Sequence, residues 1–382
     1  MLVRYKNTVD PDVSLIASGP VRLVDKTVGR GLDHLGLHYL AYPSSFLLLS
    51  HPWFREADVI QLYNTHGGYF SHTVLPWLSR ARPVVWRLDD LWVFTGGCIY
   101  PGDCERWRKG CGHCPHLHLT SYPRLRWDAT ALLWKTKKAS YGRSALTVTV
   151  PSRWLAQLAT QSPLLRQFPI HFIPYGIDAQ IFRPMPKREA REQLGINPES
   201  RVVGFGAQDV LDPRKGGYLL KEAFERLMTH GFAKLTALIF GNRSGELALP
   251  PSVETKRFGP INDDNNLALI YSAADVFVMP SLGEIFGLVA LESMACGTPV
   301  VAFGVDGVPE HVRHMETGYL AAYKDAADLA RGIQMLLEDA GLYSKIAARC
   351  REMVKEEYTL ELQAARYLEL YTELTNSETA PP

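Results

Sequence analysis

The sequence predicts an α/β protein of two domains, the second a doubly wound parallel sheet, and three observations predict it. From residue 201 onward, short apolar runs alternate with helical patterns: Arg201 to Ala207, a helix from Gly217, Leu235 to Gly241, a helix near Asn265 to Ala273, then Val276 to Met279. Such alternation produces a parallel sheet covered on both faces. The chain has 382 residues, enough for two average domains. The segment FIPYGIDAQIFRP, Phe172 to Pro184, breaks the pattern with prolines and a glycine, as a domain boundary does. The expected division is residues 1–178, 179–358 and a terminal piece 359–382, in which Leu360 to Leu374 carries apolar residues at helical spacing.

Composition narrows the function. Forty-one Lys and Arg nearly balance 40 Asp and Glu for a formal charge of +1, which argues against coating nucleic acid by bulk electrostatics and leaves any anion site local. No apolar run is long enough to span a bilayer, and the start MLVRYKNTVDPD lacks the apolar core of a signal peptide. The expectation is a cytoplasmic protein.

The most informative stretch is DVFVMPSLGEIFGLVALESMACGTPVVAFGVDGVPE, Asp275 to Glu310. Its apolar run ends at Pro280 and points its carboxyl end at the loop Ser281 to Phe286, the edge where open α/β sheets bind ligands. From Gly287 the pattern turns helical, so free amides and the positive dipole end face that edge, where a pyrophosphate is stabilised. Glu284 precedes the helix and Glu292 lies inside it, so the two acids can hold different parts of one elongated ligand, such as a sugar and a ribose. Upstream, Gly204-Phe-Gly206 resembles the start of a dinucleotide fingerprint, but Asp212-Pro213 prevents a helix from starting there. The following DPRKGG places Arg214 and Lys215 before a helix, where a cation pair can neutralise a diphosphate leaving group.

The run from Glu284 to Ala302 resembles glycosyltransferase family four, the retaining enzymes of the GT-B fold, whose signature is E-x-F-G-L followed by E-A-M-A-x-G-x-P-V-V-A; Ser293 replaces the usual alanine. The resemblance implies two Rossmann-like domains facing a central cleft and a nucleoside diphosphate sugar as donor. Glu284 would contact donor-sugar hydroxyls, Glu292 the ribose, and the backbone of Ile285, Phe286, Gly287 and Leu288 the phosphates. Lys215 matches the family's phosphate lysine. Where the family often carries an arginine after the strand glycine, this chain has Ala207 and Gln208, so Arg214 would substitute and Gln208 would border the donor. The loop Phe258 to Ile261, with Gly259 and Ile261, would take the base. No cofactor is required.

The run VVWRLDDLWVFTGGCIYPGDCERWRKGCGHCPHL, Val84 to Leu117, with NTHGGYF at Asn64 to Phe70 and PSRWL at Pro151, is similar to the colanic-acid type of exopolysaccharide glycosyltransferases. It assigns His66, Gly67, Gly68 and Asp90 to the acceptor side. Asp89 stands where that subfamily has histidine, and a carboxylate there would repel a diphosphate unless protonated or paired; Arg87, two residues back, is the candidate partner. Family members also open with a strand and a glycine-rich loop that this chain lacks, which implies a shortened N-terminal domain and, with Asp89, weak or absent turnover.

Cys98, Cys104, Cys111 and Cys114 could close a structural zinc site, with His113, His116 and His118 as alternatives, or brace a loop as reduced thiols or disulfides. The stretch Pro123 to Arg143 combines Trp127, Leu132, Leu133 and Trp134 with a basic rim, either for peripheral contact with the inner face of a membrane or as a packed helix with a solvated face. The function expected is transfer of a sugar from a nucleoside diphosphate to a saccharide or lipid-linked saccharide in exopolysaccharide synthesis, with no nucleic-acid partner. The alternatives are a nucleotide-sugar epimerase or hydrolase of the same fold, and a nucleotide-sugar-binding pseudoenzyme or partner subunit.

Overall fold

A computed structural model of the chain describes residues 1–117, 127–229, 231–232 and 234–378. They fall into two compact units, Met1–Ile173 with Tyr367–Pro382, and Pro174–Arg366.

In the second unit six parallel strands run in the order β12-β11-β10-β7-β8-β9, with β7 Arg201–Asp209, β8 Leu235–Asn242, β9 Glu254–Gly259, β10 Val276–Met279, β11 Val300–Phe303 and β12 Gly318–Ala321. The central β10 and β11, VFVM and VVAF, are buried at every position, which is why they read as unbroken apolar runs. Helices Gly217–Thr229, Asp264–Ala273 and Leu288–Ala295 connect the strands. The chain works outward from β7 to β9, then returns to lay β10 on the other side of β7. That reversal is a topological switch point, and its carboxyl edge is the ligand-binding edge of such sheets.

Two glycines shape this edge. A β-carbon on Gly206 would lie 2.0 Å from the Phe240 ring on the neighbouring strand, so the Gly-Phe-Gly run serves close packing. After β7 the chain makes a short turn, Pro213–Lys215, capped by Asp212, whose carboxylate accepts the Arg214 amide at 2.9 Å. Gly216 then takes φ +69°, and a β-carbon on it would stand 1.9 Å from the Pro280 carbonyl oxygen. The loops leaving β7 and β10 therefore touch backbone to backbone.

In the first unit a parallel sheet of order β3-β4-β5-β6 comprises Ile60–Leu62, Val84–Arg87, Leu146–Val150 and Ile170–Phe172. A separate parallel pair joins β1, Leu2–Val3, to β2, Ser14–Leu15, ahead of a helix at Gly19–His34. The inner strands β4 and β5 are wholly buried. The last helix, Leu360–Glu378, starts in the second unit and ends in the first, where Tyr367 and Leu370 pack with Val85 and Ile173.

Helix Thr130–Tyr141 buries part of the expected tryptophan-bearing face, Leu133 and Trp134, while Trp127 and Leu132 stay exposed. The Trp134 indole N–H donates to the Trp107 carbonyl at 3.1 Å. Lys137 is buried too, donating to the carbonyls of Trp92 at 2.5 Å and Thr95 at 3.0 Å. Its stem and ammonium are held by the loop after β4, which the helical pattern alone did not reveal. Residues 123–126 of that stretch lie outside the described residues. No helix among the described residues is long and apolar enough to cross a membrane.

Candidate active site

At the switch point the two predicted charges meet. Lys215 Nζ donates to Glu284 Oε2 at 2.5 Å, the side chains being 19% and 15% exposed. The loop carrying Glu284 is held by its backbone. The Leu282 amide donates to the Arg214 carbonyl at 2.7 Å, the Gly307 amide to the Glu284 carbonyl at 3.2 Å, and the Glu284 amide to Asp306 Oδ2 at 2.9 Å. Arg214 is turned into this scaffold, its Nη1 donating to the Gly283 carbonyl at 3.2 Å, with Asp212 3.5 Å away. Arg214 thus positions the loop, and Lys215 is the cation beside Glu284.

Gly287 enters the helix Leu288–Ala295 at φ +92°, in the left-handed region. Among the described residues, the amides of Ile285, Phe286 and Gly287 donate to no protein group, and Leu288 opens a helix whose first amides lack intrahelical partners. The Phe286 ring is buried between Tyr175, at 5.2 Å, and His311, at 4.9 Å, so this residue offers a ligand its backbone. Burial pushes His311 down to about 3, which keeps that imidazole neutral. Glu292 accepts a hydrogen bond from the Tyr271 hydroxyl at 2.7 Å. Burial pushes its carboxyl up to about 7, against the lowering effect of that bond.

The remaining residues expected on the donor side occupy the same sheet edge. Gln208 is exposed near the end of β7, next to Asp209, whose carboxylate takes Arg243 Nε at 2.8 and 2.9 Å. Arg243 adopts φ +56° just beyond β8. Gly259 closes β9 with φ +66°, donating its amide to Ser244 Oγ at 3.2 Å, and Ile261 is partly buried in the next loop.

In the first unit Asp89 is paired: Arg87 Nε donates to Asp89 Oδ1 at 2.9 Å. Arg87 is only 1% exposed and also donates to the Tyr367 hydroxyl at 2.6 Å. The expected repulsion by an unpaired carboxylate is therefore answered within the strand end. His66 Nε2 lies 3.2 Å from Asp90 Oδ2, and the His66 ring stacks on Trp92 at 5.5 Å. Asp90 also accepts the Trp92 amide at 2.8 Å; burial raises its pKa, with His66 opposing. Gly67 and Gly68 follow at φ +106° and +83°.

A family model described as "Glycosyl transferases group 1" matches residues 186–356. The D-inositol 3-phosphate glycosyltransferase of Mycobacterium marinum is 33% identical over 387 aligned positions, covering 96% of this chain and 76% of that protein. The chain belongs to the group 1 glycosyltransferases. Among solved structures, sucrose-phosphate synthase from Thermosynechococcus elongatus aligns over 99% of this chain and 89% of that chain, with TM-score 0.66 and 24% identity. Anabaena HepE, solved with UDP and glucose, aligns over 95% and 91%, with TM-score 0.62 and 21% identity. These likenesses establish the GT-B fold.

In this glycosyltransferase the sequence reading missed three partners of the site: Tyr271 on Glu292, Asp306 on the Glu284 amide, and Arg243 on Asp209. Each comes from a different element 20 or more residues away, and no local spacing announces it. Cys98, Cys104, Cys111 and Cys114 do gather around one small cavity. They are free thiols, and no group of three His, Cys, Asp or Glu stands in position to hold a metal among the described residues. Cys111 Sγ instead accepts the Gly96 amide at 3.2 Å, and burial pushes Cys98 up to about 11 and Cys111 up to about 12. Among the described residues no zinc site is assembled; His118 lies outside them.

Proposed function

We propose that this group 1 glycosyltransferase takes its sugar from a nucleoside diphosphate sugar and passes it, with retention of configuration, to a hydroxyl of a saccharide or lipid-linked saccharide. The observation that carries the reading is the Lys215–Glu284 contact at the switch point, beside the unused amides of Ile285 to Gly287. On donor binding, Lys215 would exchange its carboxylate partner for the diphosphate and hold the charge that develops as the glycosidic C–O bond breaks. Glu284, released, would accept hydroxyls of the sugar, and Glu292 those of the ribose. Lysine, helix dipole and amides supply the positive charge the leaving group needs, so the reading requires no bridging metal. The second unit would bind the donor, with Gln208, Gly259 and Ile261 around the base and ribose. The first unit would bind the acceptor near His66, Gly67, Gly68 and Asp90.

The paired Asp89 favours an active transferase over a binding-only protein, since the Arg87 guanidinium compensates the carboxylate. Retention and a role in exopolysaccharide synthesis are supported by the motif likeness of Val84 to Leu117 and of Glu284 to Ala302. The name of the Mycobacterium marinum relative points to a phosphorylated inositol as the alternative acceptor. The test is consumption of UDP-, GDP- and ADP-sugars with and without glycoside acceptors, alongside Glu284→Ala. Acceptor-dependent turnover lost in the variant is expected; equal turnover without acceptor would mean a hydrolase or epimerase, and binding without turnover a pseudoenzyme.

A further inference from the structure

The first unit contains a cavity of about 700 Å³ between helix Gly19–His34, the β1/β2 pair and the turn Gly67–Tyr69. Its charge is lopsided. Arg22, Lys26 and Arg30 line it at four-residue spacing along one face of the helix, and Arg4 joins them from beside β1. Like charges at this spacing destabilise a helix, and none of the four has an ion-pair partner among the described residues. The two acids that line the same cavity are committed elsewhere. Asp25 is buried and accepts the Ser44 amide at 3.0 Å, and Asp33 binds His38 Nδ1 at 2.6 Å. Four cations against two carboxylates leave an excess of two positive charges.

The cavity is also built for close approach. A β-carbon on Gly29 would stand 3.0 Å from the Tyr42 hydroxyl, and one on Gly68 3.2 Å from it, so Tyr42 fits between two elements that only glycine lets come together. A β-carbon on Gly67 would lie 3.5 Å from Arg4 Nη1, placing that guanidinium against the turn that directly follows His66. Burial raises the Tyr42 phenol and holds it as a hydrogen-bond donor. Guanidinium, ammonium and phenol donors that outnumber the two lining carboxylates match the oxygens of a phosphate.

We propose that this cavity binds a phosphate ester carried by the acceptor, gripped by Arg4, Arg22, Lys26 and Arg30 and presenting its sugar or polyol part beside the His66–Asp90 pair. The inference rests on the transferase reading above. It is tested by calorimetry of the full chain with glucose 6-phosphate, glucose and inorganic phosphate, and by co-sedimentation with phosphatidylinositol vesicles. Expected are binding of glucose 6-phosphate at least tenfold tighter than glucose, weakening with salt, and a further loss of at least tenfold in Lys26→Glu/Arg30→Glu. Both side chains are exposed; Arg22→Glu, with thermal unfolding of each variant, controls for misfolding. Binding of glucose 6-phosphate would assign a soluble ester, and charge-dependent binding of vesicles alone a lipid-borne one. Equal binding of glucose and its phosphate, or binding of both ester and vesicles unchanged in the charge-reversed variants, would overturn the proposal. Binding of the UDP-, GDP- and ADP-sugars to the unmodified chain separates the two readings. If none binds, the donor assignment fails whatever the cavity holds; if one binds while phosphate esters do not, only this inference fails.

Discussion

If Glu292 holds the donor ribose as proposed, it couples donor binding to pH in a way that can be calculated. Its carboxyl sits at about 7 because burial costs the charged form more than the Tyr271 hydrogen bond returns. To accept two ribose hydroxyls it must be ionised. If the donor binds only that form, the apparent Kd scales as 1 + 10^(7 − pH), about 11 at pH 6 and about 1.1 at pH 8. The donor should therefore bind about tenfold tighter at pH 8 than at pH 6, or about 1.4 kcal/mol. Calorimetry with UDP-glucose, whose diphosphate does not titrate in this range, measures it, and two buffers of different ionisation enthalpy count the proton released near pH 6. Glu292→Gln should abolish the pH slope; Tyr271→Phe, which removes the bond that favours the anion, should move it to higher pH. The same shift acts on stability with a definite sign. A pKa raised in the folded state contributes stability fully below about pH 4.5, and that contribution is lost as pH rises through about 7. Glu292→Gln should thus gain up to about 3 kcal/mol over wild type at pH 8 and nothing at pH 4. A Kd equal within twofold at pH 6 and 8, or a slope that survives in Glu292→Gln, would refute the argument.

Three further outcomes follow from the site. Glu284→Gln frees Lys215 from its 2.5 Å partner, so donor affinity should hold or improve while turnover falls. Lys215→Ala should instead cost about 10²–10³ in kcat; steady-state kinetics that show the same KM and kcat changes in both would contradict the exchange of partners. Gly216→Ala should destabilise the second unit by more than about 2 kcal/mol, because left-handed φ and a β-carbon 1.9 Å from the Pro280 oxygen act together; urea unfolding reads it. Arg87→Leu should cost about 3–5 kcal/mol by removing the buried guanidinium that pairs with Asp89, and Arg87→Leu/Asp89→Asn should recover much of that loss in the same assay.

The second unit was readable because its strands are covered on both faces, so Val276–Met279 and Val300–Phe303 declare themselves by apolar content alone. The place of both charges of the proposed donor site was also readable, since each sits at a loop whose position at the carboxyl edge follows from strand-helix alternation. Their contact was not, as nothing in the spacing of Lys215 and Glu284, 69 residues apart, states that β10 lies directly beside β7. The first unit was harder. Trp134 and Lys137 look like a surface stripe until the loop after β4 is seen folded over them, and burial supplied by an irregular loop leaves no periodic signal. Asp89 was read as a defect, although its remedy was visible two residues away in Arg87. Whether a strand end would aim both side chains at each other depended on backbone geometry that spacing alone does not determine.

Lys215 and Glu284 also show why a site can be legible before its chemistry is. Without a donor, the lysine proposed for the diphosphate and the acid proposed for the sugar neutralise each other. Separately, each would be a charge in a mostly buried position and would destabilise the fold. Together they are held where the ligand's two unlike ends must go, at the cost of a pair that the ligand must open. A donor carrying both diphosphate and sugar replaces each partner with a better one. Free UDP satisfies Lys215 but leaves Glu284 unpaired, so UDP should bind the wild type less favourably, relative to UDP-glucose, than it binds Glu284→Gln. Side-by-side calorimetry of the two ligands on the two proteins gives the coupling directly, and an unchanged ratio would mean that the pair stays closed when the donor is bound.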